Sequence, residues 1–416
     1  MIHALLIHYG PAKNLRYLLQ QAGRDIDLSV ITERQFAQEY PADLPVRFVP
    51  SVADLTAVRS AALELSRRRR IDRVVSGTER TQQASGYVRS LFALPGMGYD
   101  QANLFSNKLA MKSVLRDAGL PVADFREVYS PGQMTAAAAE LGWPVVIKPA
   151  IGQGTLDTYL VHSARQLSGL LASPAAKPLL DGVCPALVEQ YVAMDAELHC
   201  DGVVRSGAAE FVAVSRYFEA LLVQAGDING SYFLPAGHPL TEPARQLHAA
   251  VVEVLGLEAG VTHLELFASG SRLTIGEIAC RPAGGVIPEA IRMRHGIDLR
   301  HTHIDIALGH PASPLHERAK VEGILANCEL PLRPGRITRL STPADLATVP
   351  DLIRVDIISK VGDLVRPPLH SSACSAFAYL DLAHEDLLPA RLKALSEHYV
   401  FEVEPENIST LQEQTV

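Results

Sequence analysis

Two glutamates, Glu265 in the run HLEL and Glu277 in GEIACRP, flank the short turn Ser269–Gly270–Ser271. The runs on either side read as the two strands of a hairpin, so facing positions can bring both carboxylates to one edge of a cleft. Hard divalent cations want oxygen ligands, and magnesium commonly takes one or two carboxylates together with substrate phosphates. Alone, a pair of strand glutamates is more often a solvated face. Arg281 shifts that balance: it follows Glu277 by four residues and leads directly into Pro282–Ala283–Gly284–Gly285. A guanidinium beside metal-binding carboxylates is costly unless a highly charged anion is shared among them, and phosphate is the usual guest. The two glycines let backbone N–H groups come close to it.

A second group of residues points to the same guest. In PVVIKPAIGQG, Lys148 ends an apolar strand and Gly152 and Gly154 follow. An unpaired buried ammonium is expensive, so this lysine faces an anion or reaches solvent. A Gly-containing loop beside it can close over phosphates with its N–H groups. Asn107–Lys108, at the start of the preceding helix, supplies another cation. The run ALVEQYV places Glu189 before Tyr191 and Val192, with Glu197 downstream. It can present backbone groups to an adenine and a carboxylate to a ribose, or be a plain strand between lobes.

The elements that must position these residues follow from periodicity. Over the first hundred residues, IHALLIHY, IDLSVIT, VRFVP and DRVVSG alternate with helical runs, NLRYLLQQAG and a long helix to Arg70. Strand and helix at this spacing predict a parallel sheet with crossover helices, a Rossmann-like lobe. Gly10 and Gly77 follow strands but make no GxGxxG, so the dinucleotide fingerprint is absent. A helix from 104 to about 120 ends at Gly119–Leu120–Pro121. A small α+β lobe follows, with strands at FREVY, PVVIKP, TYLVH and ALVEQYV and helices at MTAAAAELG and from Ser163. Longer strands then begin in ELHCDGVVRSGAAEFVAVSRYF, where Asp201–Gly202 predicts the hairpin turn. A helix at 241 to 255 precedes THLELFA and RLTIGEIACRP. The tail from about 318 reads as a separate α+β module.

Composition narrows the functional classes. The chain of 416 residues exceeds one ordinary core, which predicts several lobes with clefts between them. A net charge of −8 gives no general attraction to nucleic acid or anionic membrane, and the basic run Arg67–Arg70 reads as a solvated helix end. The opening MIHALLIHYG alternates like a buried strand and lacks the marks of a leader. The five cysteines form no CxxC pair, so neither a zinc site nor a disulfide framework is indicated and a cytoplasmic setting is expected.

Taken in order, Lys108, Lys148 with its Gly-rich loop, Glu189 to Val192 with Glu197, then Glu265, Glu277 and Arg281 resemble the ATP-grasp superfamily over residues 1 to about 310. Within it the chain looks most like the L-amino acid ligases, because EIACRPAGG and a tail of about a hundred residues resemble theirs. The fold implied is α/β and α+β: a Rossmann-like N-terminal lobe over 1–105, a small α+β lid over 106–192, a larger α+β metal- and substrate-binding lobe over 193–315, and a small C-terminal α+β domain over 316–416. The activity implied is ATP-dependent ligation of two amino acids into a dipeptide through an acyl phosphate, releasing ADP and phosphate.

The resemblance also implies roles. Lys108 and Lys148 would contact ATP phosphates under the loop 152–158, with Gly152 and Gly154. Glu189 and the backbone of Tyr191 and Val192 would hold adenine, and Glu197 the ribose. Glu265 and Glu277 would bind two magnesium ions, or manganese, bridging the phosphates. Arg281, with the N–H of Gly284, would stabilise the acyl phosphate and the tetrahedral intermediate. Expected partners are amino acids, with neither nucleic acid nor membrane, and a homodimer is compatible. Two departures stand out: many members have Asn where this chain has Ala279, and smaller residues where it has Leu156–Asp157–Thr158. Glu79, Ser85 and Arg294, in the stretches Gly77–Ser85 and Arg292–His295, are candidates for lining the amino-acid pocket; an ordinary loop and helix role is the alternative. Other readings are a ligase of another carboxylate and amine, or a nucleotide-binding regulator without turnover.

Overall fold

The computed structural model describes residues 1–405 apart from 11–14, 22, 24, 153, 182–183, 223–227, 311–320, 322 and 367–372. Gln153 of the Gly-rich loop and the expected boundary at 315/316 lie outside the described residues. The chain forms two compact units, one of Met1–Val214, Pro239–Ala283 and Ile297–Glu317, the other of Ser215–His238, Gly284–Gly296 and Arg318–Val416. Among the described residues no helix is long and apolar enough to cross a membrane.

The first unit opens with a four-stranded parallel sheet in the order Val46–Val49, Ile26–Glu33, Ile2–Ile7, Arg73–Ser76. Alternate residues of the first strand serve opposite cores. Leu5 and Ile7 pack with Val58, Ala62 and Leu65 of the helix Leu55–Arg68. Ala4 and Leu6 pack with Ile304 and Leu308 of the helix Leu299–Leu308. With both faces covered, the strands read as nearly unbroken apolar runs. The parallel ladder brings the carboxyl ends of Ile2–Ile7 and Arg73–Ser76 together, and the chain leaves the latter directly into Glu79. The basic run sits at its helix end as expected, with Arg68 and Arg69 on Asp27.

The small lobe is an antiparallel sheet in the order Phe125–Val128, Ala186–Gln190, Val145–Pro149, Tyr159–Val161. The helices Pro131–Leu141 and Ala164–Leu171 bury Met134, Ala138 and Leu167 against Val145, Ile147 and Val188. The helix expected from 104 to about 120 begins only at Lys108, after a separate short helix. Tyr99–Leu104 ends, and Lys108–Asp117 starts afresh because the Asn107 side chain accepts from the N–H groups of Leu109 and Ala110.

The remaining strands of this unit are Ala196–Arg205, Gly260–Ser269 and Arg272–Ala279, with Ala208–Tyr217 running on into the second unit. Here the turn at Asp201–Gly202 is corrected. Both residues lie inside Ala196–Arg205, and the reversal comes at Ser206–Gly207, whose φ angles of 50° and 74° suit a tight hairpin turn. Asp201 stays in the strand because two imidazoles bind its carboxylate. Gly202 stays because buried His248, of the helix Thr241–Val254, packs over it: a Cβ there would lie 2.9 Å from the imidazole and 2.8 Å from the Thr262 hydroxyl. Proximity of Asp to Gly signals a turn only when nothing buries them.

In the second unit, Asn229–Phe233 pairs with Ile324–Leu330, which pairs with Ala376–Leu382, which pairs with Leu352–Ile357, all antiparallel. The helix Leu388–His398 closes one side through Leu388 and Leu395. The tail thus shares its sheet with a strand that precedes it by about a hundred residues of sequence.

Candidate active site

All the charged candidates except Arg294 fall in the first unit. Glu265 stands directly opposite Glu277 in the hairpin ladder, and beyond that pair the register shifts by one residue on the Arg272–Ala279 side. The extra residue is Gly276, where a Cβ would sit 2.9 Å from the Phe267 ring and 3.2 Å from the Glu265 carbonyl oxygen. The bulge therefore needs glycine, and it fixes which residue faces Glu265. Each carboxylate keeps about a quarter of its side chain exposed. Burial works against ionising Glu265, but His263 and then Lys108 outweigh it and hold the acid below its usual range. Burial pushes Glu277 up, and the neighbouring charges of Glu79 and Glu265 add to that. Two like charges at one edge call for a cation.

A cation is already there. The Lys108 ammonium lies 2.8 Å from Glu277 Oε1 and donates to the Gly152 carbonyl oxygen at 2.9 Å. Its backbone N–H donates to the Ala150 oxygen, so the helix start and the Gly-rich loop are tied at two points. Burial would lower the lysine's pKa; Glu277 and Glu79 more than reverse this. In the loop, Gly154, Thr155 and Asp157 all have φ near +60°, the last two without the freedom of glycine.

Lys148 lies 2.9 Å from Glu189 Oε2. The other oxygen of Glu189 faces the ammonium of Lys112, which is wholly buried, at 3.5 Å. The Glu189 side chain is thus the counter-ion of two lysines. Burial would raise its pKa, and Lys112 and Lys148 pull it below the ordinary range. Lys112 itself is pushed down by burial, with Glu189 opposing. The sequence reading missed Lys112. The signal was a lysine four residues after Lys108, on the helix face that buries Met111 and Leu115. Downstream of Glu189, Tyr191 and Val192 are half-buried and leave the sheet, and Glu197 is buried at the start of Ala196–Arg205.

Arg281 joins the carboxyl ends of the parallel sheet to the hairpin. Its Nε donates to Glu79 Oε2 at 2.9 Å, Nη2 donates to the same oxygen, and Nη1 donates to the Pro282 carbonyl oxygen at 3.0 Å. Gln82 supports the join, donating to the Cys280 oxygen at 2.6 Å. Burial would lower the guanidinium's pKa; Glu79 raises it. Glu79 is 6% exposed, and its second oxygen is buried without a hydrogen-bond partner. Ser85 is wholly buried within the helix Gln82–Phe92, its hydroxyl likewise unpartnered. Gly284 and Arg294 belong to the second unit, where Arg294 donates to the Val321 oxygen at 3.0 Å.

A further cluster was not expected. Asp201, fully buried, takes His199 Nδ1 at 2.6 Å on one oxygen and His263 Nδ1 at 2.9 Å on the other. Burial alone would lower the pKa of His263, but Asp201 and then Glu265 push it up to about 10. The signal lay in the alternation His-x-Asp on one strand and His-x-Glu on its neighbour.

An ATP-grasp domain model matches residues 113–285. The chain is 31% identical over 405 residues to the L-arginine-specific L-amino acid ligase of Bacillus subtilis, covering 96% of this chain and 97% of that protein. This chain belongs to the L-amino acid ligase family. The ligase superposes on the crystal structure of an L-amino acid ligase from Bacillus licheniformis with a TM-score of 0.75, at 17% identity, over 97% of this chain and 99% of that one. It also superposes on carboxyaminoimidazole ribonucleotide synthase of Aspergillus clavatus, crystallised with ATP, with a TM-score of 0.69, at 17% identity, over 95% and 98% of the two chains. The ligase therefore has the ATP-grasp fold and is a carboxylate-amine ligase.

Proposed function

We propose that the ligase joins two amino acids into a dipeptide, using ATP to convert the carboxylate of the first into an acyl phosphate. The observation that carries this reading is one contiguous row of paired charges: Lys148 on Glu189, Lys108 on Glu277, Glu265 beside Glu277, and Arg281 on Glu79. Together they offer cations for phosphates, carboxylates for a metal, and a guanidinium fork for an oxyanion. A carboxylate resists attack because it would have to expel oxide. Transfer of the terminal phosphoryl group of ATP to its oxygen creates a leaving group, with ADP released. The amine nitrogen then bonds to the acyl carbon, the bond to phosphate oxygen breaks, phosphate leaves, and the ammonium proton passes to solvent.

Glu265 and Glu277 fit a divalent ion. The donors are all oxygen, they face one another across a ladder, and a lysine ammonium now neutralises one of them. Magnesium or manganese held there would offset negative charge on the phosphoryl group being transferred. In this reading Lys108 and Lys148 hold phosphates under the loop 152–158, Glu189 fixes Lys148, the backbone at Tyr191 and Val192 takes adenine, and Glu197 takes the ribose. Arg281, held in place by Glu79, meets the oxyanion at the acyl carbon. The unpartnered oxygen of Glu79 and the hydroxyl of Ser85 are buried acceptors in the stretch assigned to the amino-acid pocket. Lobes 106–192 and 193–315 exclude water around the acyl phosphate.

The test is phosphate release against a panel of amino-acid pairs, with arginine first because of the relative specific for it. ADP and phosphate should form only when acid and amine are both present. AMP and pyrophosphate as products would sink the reading.

A further inference from the structure

The buried Asp201 cluster lies in register with the two glutamates. Across three neighbouring strands, Glu277, Glu265 and His199 are direct partners in one row, and Ala279, His263 and Asp201 in the next. Direct partners in an antiparallel ladder project to the same face, as do residues two apart on a strand, so all six side chains share one face. Three of them hydrogen-bond in sequence. Asp201 commits one oxygen to each imidazole Nδ1, and His263 presents its other nitrogen, Nε2, to Glu265 Oε1 at 3.5 Å.

Such a cluster is expensive to bury, and apolar residues would fill the volume at lower cost. His199, Asp201 and His263 could themselves be read as a metal-binding trio, since their ligand atoms are close together. Both Nδ1 atoms, however, are already spent on Asp201 at hydrogen-bond distance. The unspent nitrogen of His263 faces a carboxylate, and the methyl of Ala279 opposite leaves the imidazole room. A metal ligand is commonly fixed by just such an outer partner.

We propose that His263 and Asp201 are positioning residues: Asp201 locks the imidazole through Nδ1, and the Nε2–H of His263 holds Glu265 Oε1 so that its second oxygen is turned to the divalent ion. The inference rests on the reading of Glu265 and Glu277 as metal ligands. It adds that the affinity for metal is set from behind that pair, through a strand distant from it in sequence.

The experiment measures Mn2+ uptake by the full chain with ADP, read by electron paramagnetic resonance, beside ADP affinity in EDTA and thermal melting. His263→Leu should weaken Mn2+ binding roughly ten- to a hundredfold, the usual scale for losing an outer partner, with ADP affinity in EDTA unchanged. His263→Gln keeps an N–H donor at the same depth and should recover most of the affinity. Asp201→Asn should fall between the two. In turnover, the magnesium requirement should rise while kcat at saturating metal recovers, a split that a merely structural role would not produce. Should His263→Leu not fold, the Gln and Asn variants carry the comparison. Glu265→Gln separates the two ideas. If it loses Mn2+ while the His263 and Asp201 variants bind like wild type, the positioning role is overturned. If Glu265→Gln itself binds Mn2+ like wild type, the reading of the metal site fails.

Discussion

Two charged clusters of the first unit use the same residue types in opposite proportions. In one, the single carboxylate of Glu189 serves two lysines, Lys112 and Lys148, and nearly all of it is buried. In the other, two carboxylates, Glu265 and Glu277, share the single lysine Lys108, and each is about a quarter exposed. The first is left with an excess of positive charge and the second with an excess of negative charge. Neither excess is stable in isolation beside low-dielectric protein, which is why the proposed reading puts an anion at Lys148 and a cation at the glutamates. The Asp201–His263 pair is internally balanced and leaves that contrast intact. Where polar groups are buried without exposure, the sheet is being held in shape. Where they keep an exposed edge, the proposed reading has a ligand complete them.

The sharpest way to break the contrast is Lys112→Met, which removes the wholly buried cation and leaves Glu189 to Lys148 alone. Separating a buried ion pair should cost about 3–5 kcal/mol of stability, seen as a lower midpoint in urea. A midpoint at the wild-type value would mean that Glu189 needs only one partner.

Arg281→Ala tests the neutral pair. Its proposed partner is charge that develops on the reacting carbon, so ligation should slow by about a hundred- to a thousandfold while ATP affinity moves less. Lys in its place should rescue poorly, because a point charge cannot reproduce the planar fork. Wild-type ligation by a folded Ala variant would reduce Arg281 to a structural tie for Glu79.

Lys148→Ala removes the excess positive charge at the first cluster. Losing a charge-assisted contact to phosphate should weaken nucleotide binding by about 1.5–3 kcal/mol, roughly ten- to a hundredfold, as read by calorimetry. Unchanged affinity would leave Lys148 as nothing more than the counter-ion of Glu189.

The smallest effect is on acid stability. Glu189 has a folded-state pKa held below that of the unfolded chain, so its contribution is complete above the ordinary carboxylate range near 4.3 and is lost as pH falls through the depressed folded value. Urea midpoints measured from pH 6 down to pH 3 should therefore fall more steeply for the wild type than for Glu189→Gln. Parallel slopes would show that the two lysines do not hold this carboxylate down.

Much of this was legible in residue order. The hairpin around Ser269–Gly270–Ser271 and the apolar strand carrying Lys148 follow from local chemistry, and so does the existence, though not the start, of the helix carrying Lys108. What the order concealed is instructive. Asp201–Gly202 has the chemistry of a turn, yet two imidazoles and the packing of His248 draw it into a strand. Nor did residue order show that Glu189 pairs with one lysine from a helix far upstream and another from the adjacent strand.

The amino-acid sequence by itself determined which groups this ligase can bring to phosphate chemistry and the succession of elements that carries them, because capping, turn formation and alternation act between neighbours in the chain. Only the tertiary structure decided which charge answers which. Register across Ala196–Arg205, Gly260–Ser269 and Arg272–Ala279 placed Glu265 between Glu277 and His199, and the Gly276 bulge set that alignment. Ion pairs form through space at a few ångströms, and the partners here, such as Glu79 with Arg281, stand about two hundred residues apart. Spacing along the chain carries no information about such a distance until the sheets have formed.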